Sequence, residues 1–185
     1  MHDVLAVPPC GSGTRVSEIV RLVPADLRLV EAALTGDEAL AEAIGCPVAR
    51  GWATFAEALE AARLTLAADP GSVKWGPRLF IGGEPPQVVG WGGFKGPPAR
   101  GVVELGYEIA ADLRGRGLAT AAAEAMVAEA FAHDDVTALI AHTLPEPNTS
   151  NRILDKLGFG HDGERTDHGN TVWRYVLRRP PDRSP

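Results

Sequence analysis

The run Glu104-Leu-Gly-Tyr-Glu-Ile-Ala-Ala-Asp-Leu-Arg114-Gly-Arg-Gly117-Leu-Ala119-Thr120 passes from a strand-like alternation, through a turn of arginines and glycines, into an alanine-rich segment that ends at His133. A strand, a tight turn and a helix in that order aim backbone N–H groups, and the positive end of a helix dipole, at an anion. The turn lacks the Lys-Ser/Thr ending of a nucleotide P-loop, which argues against magnesium-dependent nucleotide chemistry. It also lacks the longer glycine fingerprint and the later ribose-binding acid of a dinucleotide fold. What remains is a cradle of amides from Gly115 through Leu118 to Thr120. The Arg114 and Arg116 guanidinium groups and the Thr120 hydroxyl reinforce it. Glycines let the backbone approach a ligand, and the small Ala119 keeps the first helical turn open. Such a cradle suits a pyrophosphate held without metal. A glycine turn whose arginines merely face solvent has the same sequence, and the turn alone does not separate the two.

Downstream, residues 117–132 carry Leu118, Ala122 and Ala125, and Ala119, Ala123, Val127 and Phe131, at helical spacing. This predicts a helix packed closely on a sheet. Residues 136–141 are a continuous apolar run, the mark of a central strand parallel to the one before the helix. Strand, helix and strand then make one right-handed crossover. Residues 150–157 read as a short helix followed by Gly158, and 159–165 with 171–177 as a final hairpin. Upstream, the pattern predicts a strand over 16–23 and helical sets over 26–44 interrupted at Gly36. A third helix, opened by a Thr54/Glu57 capping box, ends at Asp69-Pro70-Gly71. Strands over 78–81, 88–94 and 102–109 follow. Residues 1–15 read as a loose lead-in, 16–179 as one domain and 180–185 as a frayed tail.

A hydrophobic fraction of 45% supports a core, and a formal net charge of -6 opposes nucleic acid or an anionic membrane surface as the main partner. No apolar run approaches the roughly 20 residues that span a bilayer, and the start lacks the basic and apolar regions of a secretory leader. The default location is the cytoplasm. Cys10 and Cys46 have no metal-ligand spacing and are expected to be reduced, so no metal site is predicted.

Arg114-x-x-Gly117-x-Ala119 resembles the acyl-CoA-binding motif, Arg/Gln-x-x-Gly-x-Gly/Ala, of the GNAT N-acetyltransferases. Pro145-Glu-Pro-Asn148-Thr-Ser150-Asn151-Arg-Ile-Leu-Asp-Lys156-Leu-Gly158-Phe159 is similar to that family's second signature, a polar loop, a short helix and a Leu-Gly-Phe exit. Glu104-Leu-Gly-Tyr and Val172-Trp-Arg-Tyr-Val bring the chain closest to the branch that includes the ribosomal-protein N-terminal acetyltransferases. The resemblance spans residues 88–177. It implies an α/β (α+β) single domain with a mixed, largely antiparallel sheet of six or seven strands. A central parallel pair would splay, and about four helices would flank the sheet. It further implies acetyl-CoA as co-substrate and a primary amine as acceptor, with direct attack in a ternary complex. Ile109 and Ala111 are the expected backbone partners of the pantetheine arm, and Asn148 or Asn151 its side-chain partner. Either asparagine serves equally well as a helix cap, and Ser150 reads as a cap in preference to a catalyst.

Acetyl transfer requires a base for the amine proton, polarisation of the thioester carbonyl and release of a thiolate. The resemblance points to Glu104 as the base, on the strand where relatives keep a carboxylate. By the period of two, Glu104, Gly106 and Glu108 share one face. His142, which ends the other splayed strand, is the second candidate. An N–H near Ile109 or Ala110 is the expected oxyanion donor. Relatives with a tyrosine acid carry it where Leu154 stands here, which leaves water, or one of Tyr107, Tyr175 and His168, to protonate the thiolate. That departure keeps a rival in view, a non-catalytic acyl-CoA-binding module of the same fold. Trp52 lies in the segment that walls the acceptor site in the family, or it packs in the core. The C-terminal hairpin edge leaves room for a homodimer.

Overall fold

In chain order the computed structural model contains β1 (Val20–Pro24), α1 (Leu27–Thr35), α2 (Asp37–Ile44), α3 (Ala56–Ala68), β2 (Pro77–Gly82), β3 (Gln87–Phe94), β4 (Val102–Ile109), α4 (Leu118–Phe131), β5 (Ala138–Thr143), α5 (Thr149–Lys156), β6 (Gly160–Asp167) and β7 (Asn170–Arg178). Short 3-10 turns span Pro70–Trp75 and Ala111–Leu113. The structure describes residues 19–167 and 169–180. The expected lead-in, the expected tail beyond Pro180, the first residues of the opening strand, and His168 lie outside them.

All seven strands join one sheet in the order β1-β2-β3-β4-β5-β7-β6. Every neighbouring pair is antiparallel except β4 and β5. This is the expected mixed sheet with its central parallel pair. Five α-helices flank the sheet, and Gly36, at φ 145°, separates α1 from α2 at the expected break. The alternation of the strands divides their apolar residues between two cores. One face carries Phe80, Val103, Leu105 and Leu139 against Leu118, Ala122, Met126 and Ala130 of α4 and Leu154 of α5. The small residues of α4 let that helix lie close to the strands. The other face carries Leu79, Ile81, Val88 and Trp91 against Leu29, Leu40, Leu59 and Leu66 from α1, α2 and α3. Each fully buried aliphatic or aromatic side chain contributes about 1.5–3 kcal/mol relative to exposure.

Three expectations are corrected. Phe55, not Thr54, holds the N-cap position of α3, with no side-chain cap, because the Thr54 hydroxyl and amide bond to Glu108 instead. The cap of α5 is Asn148, not Ser150, which lies within the first turn. Cys46 takes part in a disulfide rather than standing as a reduced thiol, and Cys10 lies outside the described residues. Among those residues no helix is long and apolar enough to cross a membrane.

Candidate active site at the parting of two strands

β4 and β5 pair over three positions only, Val102 with Ala138, Val103 with Leu139 and Glu104 with Ile140. Beyond Glu104, β4 stays with β3 as far as Ile109, and β5 stays with β7 as far as Thr143. The two central strands therefore part. Lys95 N donates to Glu104 O at 2.9 Å and Ala110 N to Val89 O at 2.9 Å, so the even-numbered residues of β4 turn their backbone groups toward β3. Alternation turns those of Tyr107 and Ile109 toward the opening. Of the two expected oxyanion donors, Ala110 already has a backbone acceptor, while the Ile109 amide faces the gap. The Ile109 carbonyl accepts from Arg114 Nε at 3.1 Å.

The Ala111–Leu113 turn carries the chain from the end of β4 to the glycine turn. Gly115 and Gly117 take φ 76° and 80°, values that favour residues without Cβ. A Cβ added at either would meet nothing within 4 Å, so the backbone surface is open there. No side chain caps α4. The amides of Leu118, Ala119 and Thr120 lack intrahelical acceptors, as the first amides of any helix do. Leu118 is buried and anchors the helix start, whereas Arg114 and Arg116 are exposed beside it. Arg116 Nη2 approaches Asp112 O at 3.4 Å.

On the far side of the opening, α5 is fixed by its own asparagines. Asn151 N donates to Asn148 Oδ1 and Asn148 N to Asn151 Oδ1, both at 3.1 Å. Asn151, 5% exposed, also donates to Tyr175 Oη at 2.8 Å and to Thr143 Oγ1 at 3.3 Å. Its side chain is thus engaged inside the protein, tying α5 to β5 and β7. Asn148 Nδ2 donates to Glu146 O at 3.0 Å.

The face of the sheet opposite α4 gathers the charges. His142 Nδ1 lies 3.0 Å from Glu104 Oε1, and Lys95 Nζ pairs with the same oxygen. Four residues along, Glu108 accepts from Trp91 Nε1 at 2.5 Å and from the Thr54 amide at 3.1 and 3.2 Å. Gly106, between the two acids, has nothing within 4 Å of its Cβ position. Trp52 is 3% exposed and donates Nε1 to Asp37 Oδ1 at 3.0 Å. It meets Trp91 edge-on at 6.3 Å between centroids, so it reaches Glu108 through Trp91. On the α4 side, the Tyr107 hydroxyl is buried and finds no partner of hydrogen-bond geometry among the described residues. Burial pushes its pKa up, and the nearby Ser150 hydroxyl pulls the other way.

The two candidate bases, Glu104 and His142, therefore form a contacting pair. Lys95 and Trp91 were not singled out from the sequence. The cross-strand position of Lys95 could have been found by counting outward from the loop that joins strands 88–94 and 102–109. Among the described residues no group of three or more His, Cys, Asp or Glu is placed to hold a metal ion.

An open backbone edge between parted parallel strands can take an extended ligand by strand addition, and it lies next to an uncapped helix and a Glu–His pair. The chain belongs to the GNAT acetyltransferase family, whose domain model, described as Acetyltransferase (GNAT) domain, matches residues 18–160. It is similar to YjdG, an uncharacterized N-acetyltransferase of Bacillus subtilis (strain 168), at 26% identity over 164 residues, covering 86% of this chain and 95% of that protein. Its fold is that of RimL, a ribosomal L7/L12 alpha-N-protein acetyltransferase solved with coenzyme A, at TM-score 0.63 and 16% identity, covering 89% and 96% of the two chains. Mycobacterium smegmatis RimJ, solved with CoA-disulfide, gives TM-score 0.62 and 18% identity over 86% and 81%.

Proposed function

We propose that the protein is an acetyl-CoA-dependent N-acetyltransferase that acts on a primary amine, with the Glu104–His142 pair taking the amine proton. The observation that carries this is their contact at the point where β4 and β5 part. RimL and RimJ, which share the fold, were solved with CoA species, and this supports CoA use here.

The residues present fit such a co-substrate. The free amides of Leu118, Ala119 and Thr120, the open backbone at Gly115 and Gly117, and Arg114 and Arg116 would hold the pyrophosphate. The gap-facing backbone of Tyr107 and Ile109 would pair with the pantetheine amides, with Ala111 beside them. Asn148 would line the same opening from α5. Glu104 orients His142 through Nδ1. With its proton there, Nε2 keeps the lone pair that accepts from the amine. Trp91, Glu108 and, behind them, Trp52 would wall the acceptor.

The test is CoA release with a panel of protein N-terminal peptides and small amines, comparing wild type with Glu104→Gln. Turnover that depends on Glu104 supports the proposal; acetyl-CoA binding without turnover on any amine overturns it. One observation favours a second reading, an acyl-CoA-binding module. Leu154, 1% exposed, fills the place where tyrosine-dependent relatives carry their acid.

A further inference from the structure

Glu104 does not wait empty for an acceptor. The acceptor nitrogen must come within hydrogen-bond reach of the Glu104–His142 pair that takes its proton. A primary amine is already there, because Lys95 Nζ pairs with Glu104 Oε1. Lys95 sits directly across from Glu104, at the end of β3, with its amide bonded to the Glu104 carbonyl at 2.9 Å. Its side chain is 57% exposed against 20% for Glu104. Exposed ion pairs of this kind are weak, so the ammonium exchanges on and off the carboxylate.

We propose that Lys95 is itself an acceptor, acetylated in cis at Nζ by acetyl-CoA bound in the same site. The inference rests on Glu104 and His142 acting as the base pair of the transferase. The Lys95 ammonium first gives one proton to that pair, which frees the Nζ lone pair. Nζ attacks the thioester carbonyl carbon, an N–C bond forms, and the C–S bond breaks with its electron pair on sulfur. The thiolate takes up one proton and a second passes to solvent, leaving acetyl-lysine and free CoA. The acetylated nitrogen carries no charge, so the ion pair is lost and Glu104 keeps His142 as its partner.

The sequence supplies its own controls, since Lys74 and Lys156 are its other two lysines. Lys74 lies over the Trp75 ring, 5.9 Å from its centroid, and Lys156 ends α5. Indiscriminate chemical acetylation would label all three. The experiment incubates the full chain with acetyl-CoA alone and follows acetyl incorporation by intact mass and peptide mapping. Acetyl-CoA binding, by calorimetry, and CoA release with the amine panel are measured on the same sample. The expected result is Lys95 labelled at least about tenfold faster than Lys74 or Lys156, the advantage of a positioned nucleophile. In Glu104→Gln that excess disappears, and in Lys95→Arg the fast label is absent. If external amines turn over while Lys95 is labelled no faster than the other two lysines, self-acetylation is wrong and the transferase proposal stands. Equal Lys95 labelling in Glu104→Gln also overturns it. Absence of acetyl-CoA binding removes the transferase proposal itself.

Discussion

His142 Nδ1 lies 3.0 Å from Glu104 Oε1, at the last position where β4 and β5 are paired. Glu104 is opposite Ile140, and His142 follows two residues later, so both side chains leave the same face of the sheet. Neither residue alone specifies a base. Together they fix a ring orientation in which one imidazole nitrogen serves the carboxylate and the other is left to serve substrate. Glu104→Gln and His142→Gln are each expected to lower kcat by about 100- to 1,000-fold, the usual worth of a positioned base. Because the residues act as a unit, the double variant should lose little more than either single one. Steady-state CoA release on the best amine of the panel measures this, and fully multiplicative losses would show that the two work independently.

Gly117→Val addresses the cradle. Gly117 precedes α4 at φ 80°, and a β-branched residue is strained there. Its added atoms would project into space that the protein leaves open. Acetyl-CoA affinity should fall by at least about tenfold, equivalent to 1.4 kcal/mol, as read by calorimetry. A melting temperature measured alongside separates lost binding from lost fold. Unchanged affinity would remove the pyrophosphate from this turn.

The fold was legible where the pattern is local. The strand over 102–109 and the alanine-rich helix fall within a residue of the predicted bounds, because alternation and helical spacing both report burial. The bounds slipped on β5, predicted over 136–141 and observed at Ala138–Thr143, since an apolar run marks burial but not where the ladder starts. Thr54 shows a deeper limit. Its spacing to Glu57 satisfies a capping rule, yet a long-range carboxylate, Glu108, takes its donors. The site divides in the same way. The glycine turn is a continuous segment and could be seen in the sequence. The contact of Glu104 with His142 depends on two strands distant in sequence meeting, which no spacing within one segment encodes.

Arg78 tests the fold rather than the site. It is 2% exposed and donates to Glu129 of α4, to the carbonyls of Val73, Lys74, Gly76 and Pro77, and lies over the Phe94 ring. One side chain thus joins β2, α4 and the 3-10 turn before β2. Arg78→Met leaves those carbonyls and Glu129 without their donor, and is expected to cost about 3 kcal/mol. Glu129, a third exposed, can turn to water, so Glu129→Gln should cost about 1 kcal/mol or less. Urea denaturation midpoints at constant m-value check the asymmetry. Equal losses would mean that the ion pair, not the carbonyl network, is what Arg78 supplies.

Tyr107 carries the remaining prediction. Burial holds its hydroxyl pKa above the ordinary 10.0, so the folded chain retains this proton more tightly than the unfolded chain does. The resulting stability is fully present below pH 10.0 and is lost as pH rises from there through the folded value, because the unfolded tyrosine ionises first. Tyr107→Phe removes both that linkage and a buried hydroxyl that has no partner of proper geometry. Stability at neutral pH should therefore be unchanged or higher by about 1 kcal/mol, and its decline above pH 10.0 should be shallower than in wild type. Chemical denaturation from neutral to alkaline pH reads both effects. The same variant assayed for CoA release reports on the leaving thiolate. Tyr107 extends from the parted segment of β4 toward Ser150 at the start of α5, so a hydrogen bond from its hydroxyl to sulfur would appear as a lower kcat in a protein that is no less stable. An unchanged kcat would leave water to protonate the thiolate.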